Sequence, residues 1–397
     1  MRDRELSALT TLGFDELAKA TGGIGQIQRA VSGRVFRMVG PGALLVRPIH
    51  EGVTRGVYRG LGAGTRALGT AAGRAAALRE GTLLSSTPHG SAVIAAISGL
   101  TGDALEEQGS PLAQPMAVRV GGEPVARDPD ALAAAFPEAT PRIVVFVHGL
   151  MTTEFSWALG GHETFGARLA RESGYTPVYV RYNTGRHISE NGRSLSGLLE
   201  ELVAAWPVDV DQIALVGHSM GGLVARSACC HAADADAGWS RLVTHSVSLG
   251  TPHMGAPLEQ AVHYLSAGLA RLPETRPFAN FLRRRSGGIR DLRQGSLVDE
   301  DWRDCDPDAV KAAACAEIPL LEGATHCFVS ATVTRSDRHP VGRLIGDVLV
   351  LKPSATGRSR TRRIPFDEEY GMHLGGASHF TLLYHPAVYD KLRGWLT

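Results

Sequence analysis

Cysteine is scarce in this chain, with five in 397 residues. So few thiols in so long a chain exclude a disulfide-stapled scaffold. They do not fall at zinc-site spacings either: Cys229 and Cys230 are adjacent within an expected helix, and Cys305, Cys315 and Cys327 form no paired motif. Free thiols are expected, with a Cys305–Cys315 loop disulfide as the alternative. Charge of one sign is also missing. The 41 basic and 40 acidic residues leave a net charge of +1, which excludes the strongly basic face of a dedicated nucleic-acid binder. Lysine occurs only at Lys19, Lys311, Lys352 and Lys391. No run of about 20 apolar residues exists, so no transmembrane helix is expected. The first twenty residues are charged and hold no apolar stretch of signal-peptide length. The expectation is a soluble cytoplasmic protein. What the chain does have is 44% hydrophobic residues, enough to bury a sizeable core and to exclude wholesale disorder.

The pattern divides near residue 140. Residues 1–140 read as a mainly helical extension. Within it, residues 1–80 hold twelve basic and six acidic side chains, and Val53, Val57, Leu61 and Leu68 recur near helical spacing. A basic amphipathic helix of this kind would make peripheral contact with an anionic membrane. The many glycines favour instead a helix packed on the main domain, because glycine weakens an isolated helix. Residues 91–108 read as a further helix, and residues 111–140 as a short strand, a Gly-Gly turn and a proline-bounded linker. From 141 onward strands alternate with helices. Strands are expected at 142–149, 176–183, 211–219, 242–252 and 326–334, with 360–366 as one more. Helices are expected at 161–173, 191–205, after 219 and at 386–396. This alternation predicts a doubly wound, mostly parallel α/β sheet over 141–397.

The segment Gly217-His218-Ser219-Met220-Gly221 matches G-x-S-x-G between an expected strand and an expected helix. That context makes Ser219 a candidate nucleophile on a tight strand-to-helix turn. The glycines leave room for close packing, and the helix N-terminus offers a free N–H to a developing oxyanion. Upstream, VFVHGL (145–150) ends another strand. Its turn suits the second oxyanion donor, so the hole is assigned to the Leu150 and Met220 N–H groups, with Met151 as the fallback. His148 is read as a brace for this turn rather than a base.

These segments resemble the lipase/esterase branch of the α/β-hydrolases. VFVHGL is similar to the lipase oxyanion segment and GHSMGG to the nucleophile elbow. SLGTPHMGAP (248–257) resembles the strand and loop after the elbow in lipases and in the GPI-inositol deacylase-like group. GDVLVLKPSA (346–355) resembles the segment bearing the catalytic acid, and SHFTLLYHPAVYDKLRGWL (378–396) the histidine loop and last helix. The resemblance covers 141–397. Val348 departs from it, since lipases often have glycine after the acid.

The resemblance implies the order Ser, acid, His. His379, in a Gly-rich loop before the last helix, is the expected base over His373 and over His385, which precedes a helix-start proline. Asp347, bracketed by apolar residues, is preferred as the acid to Asp337 in the charged run RSDRH. Asp299, Asp301 and Asp304 form an acidic cluster read as capping or pairing with nearby arginines, with calcium as the alternative. Residues 257–325 interrupt the sheet as an expected helical cap, whose apolar side chains include Phe278 and Phe281. The activity implied is hydrolysis of a carboxylic ester, small-molecule or lipid, through an acyl-enzyme, with no cofactor and no metal. Acyl transfer or thioester or amide cleavage on the same triad is the alternative within enzymes, and a non-catalytic membrane-surface protein the alternative outside them.

Overall fold

The structure, a computed structural model, describes Glu5, Ala8 and residues 83–256, 285–305, 315–336, 338–359 and 362–397. The rest of the basic segment 1–80, the cap residues Phe278 and Phe281, and Asp337 lie outside the described residues.

Eight strands form one sheet: β1 Ala117–Val120, β2 Glu123–Pro124, β3 Arg142–Val147, β4 Thr176–Arg181, β5 Gln212–His218, β6 Val243–Leu249, β7 Thr325–Thr332 and β8 Gly371–Gly375. Their spatial order is β2-β1-β4-β3-β5-β6-β7-β8. β3 to β8 run parallel, and only the β1–β2 hairpin lies antiparallel, pairing through β1 with β4. The sheet therefore takes in strands that precede residue 141.

The central strands explain why both faces are covered. In β3, Ile143, Val145 and Val147 join one core cluster while Val144 and Phe146 join the other. An alternating backbone puts successive side chains on opposite faces, so a continuous apolar run needs helices on both sides. Of the longer helices, α1 Pro88–Glu107 precedes the sheet, and α2 Phe165–Ser173, α3 Ile188–Ala205, α4 Met220–Asp234 and α5 Pro386–Leu396 cover it. α3 and α4 pack on one face through residues such as Leu195, Leu199, Leu223 and Val224. α2 and α5 pack on the other through Phe165, Leu169, Val388 and Leu392.

Two expectations are corrected. Of the strand expected at 360–366, the described residues 362–366 form none: Arg358 and Arg363 make a single isolated bridge. The eighth strand is Gly371–Gly375, whose Gly-Met-His-Leu-Gly sequence carries little β-propensity and is held by its register on β7. The linker expected before 140 contains the short helix Pro129–Ala135, started by the Asp128 side chain, which accepts the Ala131 N–H. The described parts of the 257–325 insertion hold only the short helix Gly287–Asp291 and a 3₁₀ turn at Asp299–Asp301. All five cysteines are free thiols, so the Cys305–Cys315 bridge is absent. Among the described residues, no helix is long and apolar enough to cross a membrane.

Candidate active site

The chain leaves β3 for β4 on one side and returns to β5 on the other, so the carboxyl ends of β3 and β5 flank a topological switch point. Ser219 sits there, between β5 and α4. Its backbone is held at φ 54° and ψ −124°, a region non-glycine residues rarely occupy and one that marks functional turns. Close packing over-determines this conformation. A Cβ on Gly217 would meet the Gly222 nitrogen at 2.4 Å, and one on Gly221 would meet the Val147 carbonyl oxygen at 2.2 Å. The Ser219 N–H donates to the Leu249 carbonyl at 2.8 Å, tying the elbow to β6.

The turn after β3 lies against this elbow: the Cβ position of Gly149 is 3.0 Å from that of Ser219. Leu150 follows Gly149 by one residue, as Met220 follows Ser219. Met220 opens α4, where first-turn N–H groups have no partner within the helix. The fallback donor Met151 is engaged, since its N–H donates to Thr184 Oγ1 at 3.3 Å. His148 is fully buried and stacked on Tyr182, with ring centroids 4.5 Å apart. Its Nδ1 meets the Gly149 carbonyl at 2.9 Å, and the Tyr182 hydroxyl donates to the His148 carbonyl at 2.8 Å. His148 thus braces the turn.

Asp347 and His379 meet from different loops. Asp347 lies in the segment after β7 and is 1% exposed; His379 lies after β8 and is 2% exposed. His379 Nδ1 is 2.7 Å from Asp347 Oδ2. Asp347 Oδ1 accepts the Leu349 and Val350 N–H groups at 3.0 and 2.7 Å, and its carbonyl accepts the His379 N–H at 2.9 Å. A carboxylate can only accept, so the Nδ1 of a neutral His379 carries the proton and Nε2 the lone pair. That Nε2 is buried with no hydrogen-bond partner. His379 and the elbow share a neighbour: a Cβ on Gly250, next to the Leu249 that holds Ser219, would lie 3.1 Å from His379 Nδ1.

The rival histidines are occupied. His373 lies in β8 with its nitrogens at 3.0 Å from Ser330 Oγ and 3.2 Å from Thr332 Oγ1. His385 caps α5, its Nδ1 accepting the Ala387 N–H at 3.2 Å. The acidic cluster pairs and caps: Asp299 binds Arg193, Arg303 and Ser189, and Asp301 accepts the Leu297, Val298 and Ala316 N–H groups.

The chain's motifs did not single out several contributors. Thr184 and Tyr182 hold the turn after β3, and the Leu349 and Val350 amides hold the Asp347 carboxylate. His218, inside the motif, is 1% exposed, and its Nε2 lies 3.2 Å from the His379 carbonyl.

Val348, the departure from the lipase pattern, stands at φ 94° and is 58% exposed. A β-branched residue there is strained by about 1–3 kcal/mol, and its exposed side chain contributes little burial. Val348→Gly is therefore expected to raise thermal stability, by about 1 kcal/mol after the added chain entropy of glycine. Turnover should be unchanged. A lower melting temperature would contradict the strain argument.

Burial also sets an acid limit. It pushes His148 down to about 4, and it drives His218 and His253 well below the usual histidine range, with the neighbouring His379 adding to the effect at His218 and Arg226 at His253. In the unfolded chain these imidazoles take up a proton near 6.5. The unfolded state then binds more protons as pH falls below about 6.5, so stability is lost in that direction. His148 alone is expected to remove about 2 kcal/mol at pH 5. Urea unfolding at pH 7.5 and pH 5 checks this, and an unchanged or higher midpoint at pH 5 would contradict it.

Residues 138–280 match the model of the PGAP1-like alpha/beta domain. No curated protein matches the chain. Among solved structures, the chain is similar to the Bacillus licheniformis lipase BlEst2 in mature form, at 20% identity and TM-score 0.43 over 72% of this chain and 99% of that one. It is similar to the RedJ thioesterase of the prodiginine pathway in Streptomyces coelicolor, at 20% identity and TM-score 0.35 over 70% and 96%. It is also similar to the naproxen esterase of Bacillus subtilis, at 14% identity and TM-score 0.35 over 64% and 84%. The mostly parallel eight-stranded sheet with Ser219 on a strained strand-to-helix turn at its switch point is an α/β-hydrolase-like architecture, and residues 138–280 of it are similar to the PGAP1-like alpha/beta domain.

Proposed function

We propose that the chain hydrolyses carboxylic esters through an acyl-enzyme on Ser219. The observation that carries this reading is the Asp347–His379 pair, closed at 2.7 Å with Nε2 left unpartnered beside the strained serine elbow. His379 Nε2 takes the Ser219 hydroxyl proton as Oγ attacks the ester carbonyl carbon. The carbonyl oxygen becomes an oxyanion that accepts from the Leu150 and Met220 N–H groups. Collapse breaks the bond to the alkoxy oxygen, which leaves as the alcohol with the proton from His379. Water then gives its proton to His379, attacks the acyl carbon and releases the acid, and Ser219 regains its proton. Asp347 fixes the tautomer throughout and stabilises the imidazolium. The scheme uses no cofactor.

An ester with an apolar acyl chain is the proposed substrate class. Each methylene that leaves water contributes up to about 0.8 kcal/mol, or about fourfold in kcat/KM. A p-nitrophenyl ester series is therefore expected to rise from acetyl to medium chains, then level off when the site is full. Activity confined to acetyl esters would contradict an apolar acyl chain as the substrate class, and no activity on any member would contradict ester hydrolysis.

A further inference from the structure

A buried guanidinium needs a counter-charge or full hydrogen bonding, because burial removes its hydration. Two arginines are buried where β1 meets β4, and only one of them has what it needs. Arg181, at the end of β4, is fully engaged. It grips both oxygens of Glu154 and donates further to the Ser85 carbonyl and to Gln114 Oε1. Arg119, in β1, is 6% exposed. It makes one hydrogen bond, from Nη1 to the Gly122 carbonyl at 3.1 Å, and its Nε is buried without a partner. The carboxylates around it are committed elsewhere, Glu154 to Arg181 and Glu5 to the hydroxyl and N–H of Ser85. Burial, with Arg181 beside it, pushes Arg119 down to about 10, which leaves it charged at neutral pH.

Arg119 lines a cleft of about 370 Å³, within the size range of small-molecule sites. Apolar walls come from Ala135, Phe136, Phe155, Ala158 and Pro177. The other polar side chains of the lining are spent: Glu154 on Arg181, and Thr164 and Tyr179 on each other, oxygen to oxygen at 2.7 Å. The turn that orients the guanidinium is fixed by packing. Gly122 stands at φ 89°, and a Cβ there would meet the Ser86 carbonyl oxygen at 2.2 Å and the Phe155 ring at 3.0 Å. The cleft lies apart from the serine elbow. Arg119 is paired in register with Tyr179 of β4, and β3 and then β5 follow β4 across the sheet. Three strand spacings, about 14 Å, therefore separate β1 from the strand that carries Ser219.

We propose that this cleft is a second ligand site, which binds a monocarboxylate with an apolar body: the carboxylate on Arg119, the body among Phe136, Phe155 and Pro177. One uncommitted guanidinium matches one negative charge, and a carboxylate can accept two of its N–H groups. The Glu154 carboxylate in the same wall disfavours a dianion such as a phosphate monoester. The ligand supplies the counter-charge that the fold withholds from Arg119. Binding here requires no turnover and stands whether or not Ser219 cleaves esters.

The experiment is calorimetric titration of the full chain with octanoate at pH 7.5, beside octan-1-ol as the uncharged molecule of equal chain length. Octanoate is expected to bind at least about tenfold more tightly than the alcohol, from hydrogen bonds to a charged group. Arg119→Met should weaken octanoate by about 10- to 100-fold and leave the alcohol unchanged. Ala158→Trp fills the cleft from an exposed position and keeps Arg119, so it serves as the second test should Arg119→Met fail to fold. It should weaken both ligands. Turnover of p-nitrophenyl acetate should be the same in both variants as in the parent, since neither position touches the Ser219 site. Equal octanoate affinity in the parent and both variants would overturn the proposal by placing the carboxylate elsewhere, the ester site included. Octan-1-ol bound as tightly as octanoate would overturn the role of Arg119, and no octanoate binding by the parent would overturn the site.

Discussion

Ser219→Ala is expected to lower ester turnover by about 10⁴ or more, with the fold intact. The size follows from losing the only atom that forms the acyl bond, leaving whatever the oxyanion donors and binding supply to a water attack. The intact fold follows from the elbow's construction. Gly217, Gly221 and Gly222 pack against β3, the helix start and Thr251, and the Leu249 carbonyl holds the Ser219 amide. None of these contacts uses Oγ, and alanine keeps the Cβ. Circular dichroism and the melting temperature should match the wild type while turnover collapses. A folded variant with near wild-type turnover would remove Ser219 from the mechanism.

Asp347→Asn is expected to cost about 10⁴ in turnover. The structure gives a specific reason. Asp347 Oδ1 accepts two amides, from Leu349 and Val350. An asparagine would keep its oxygen there, because its NH₂ cannot accept. The NH₂ would then face His379 Nδ1, which would have to become an acceptor. The proton would move to Nε2, and the base would lose the lone pair it needs for Ser219. Stability should change much less than activity, since the amide contacts survive. Asp337→Asn, at the rival acid, is expected to leave turnover within a few-fold of wild type. If Asp337→Asn is the inactive variant and Asp347→Asn is active, the assignment of the acid is reversed.

Where the sequence carried local physical constraints, it was legible. The β3 run RIVVFV and the β5 run QIALVGH announce buried parallel strands, and the structure buries nearly every side chain in both. Pro386 behind His385 announces the start of α5, which spans Pro386–Leu396. The elbow could be read because its glycines answer a steric demand that no other residue meets. β8 was missed for the opposite reason. Gly-Met-His-Leu-Gly has neither alternation nor β-branched residues, and only its pairing with β7 makes it a strand. The helix Pro129–Ala135 was hidden by the prolines around it, which read as a linker although a proline in the first helical turn is compatible with a helix start. At the site, the apolar setting of Asp347 pointed to burial, which the structure bears out. The supports from Thr184, Tyr182 and the Leu349 and Val350 amides could not be read, because long-range and backbone contacts leave no local pattern. Val348 is the instructive exception: a residue that broke the lipase pattern sits in a glycine-favouring conformation.

The most direct measurement is the intact mass of the purified chain after reaction with a fluorophosphonate, followed by peptide mapping. The account predicts a single adduct on the peptide that contains Ser219. It predicts no adduct in Ser219→Ala and a strongly slowed one in Asp347→Asn, because the reagent needs a serine deprotonated by an oriented imidazole. An unmodified wild-type chain, or an adduct on any other residue that persists in Ser219→Ala, would contradict it.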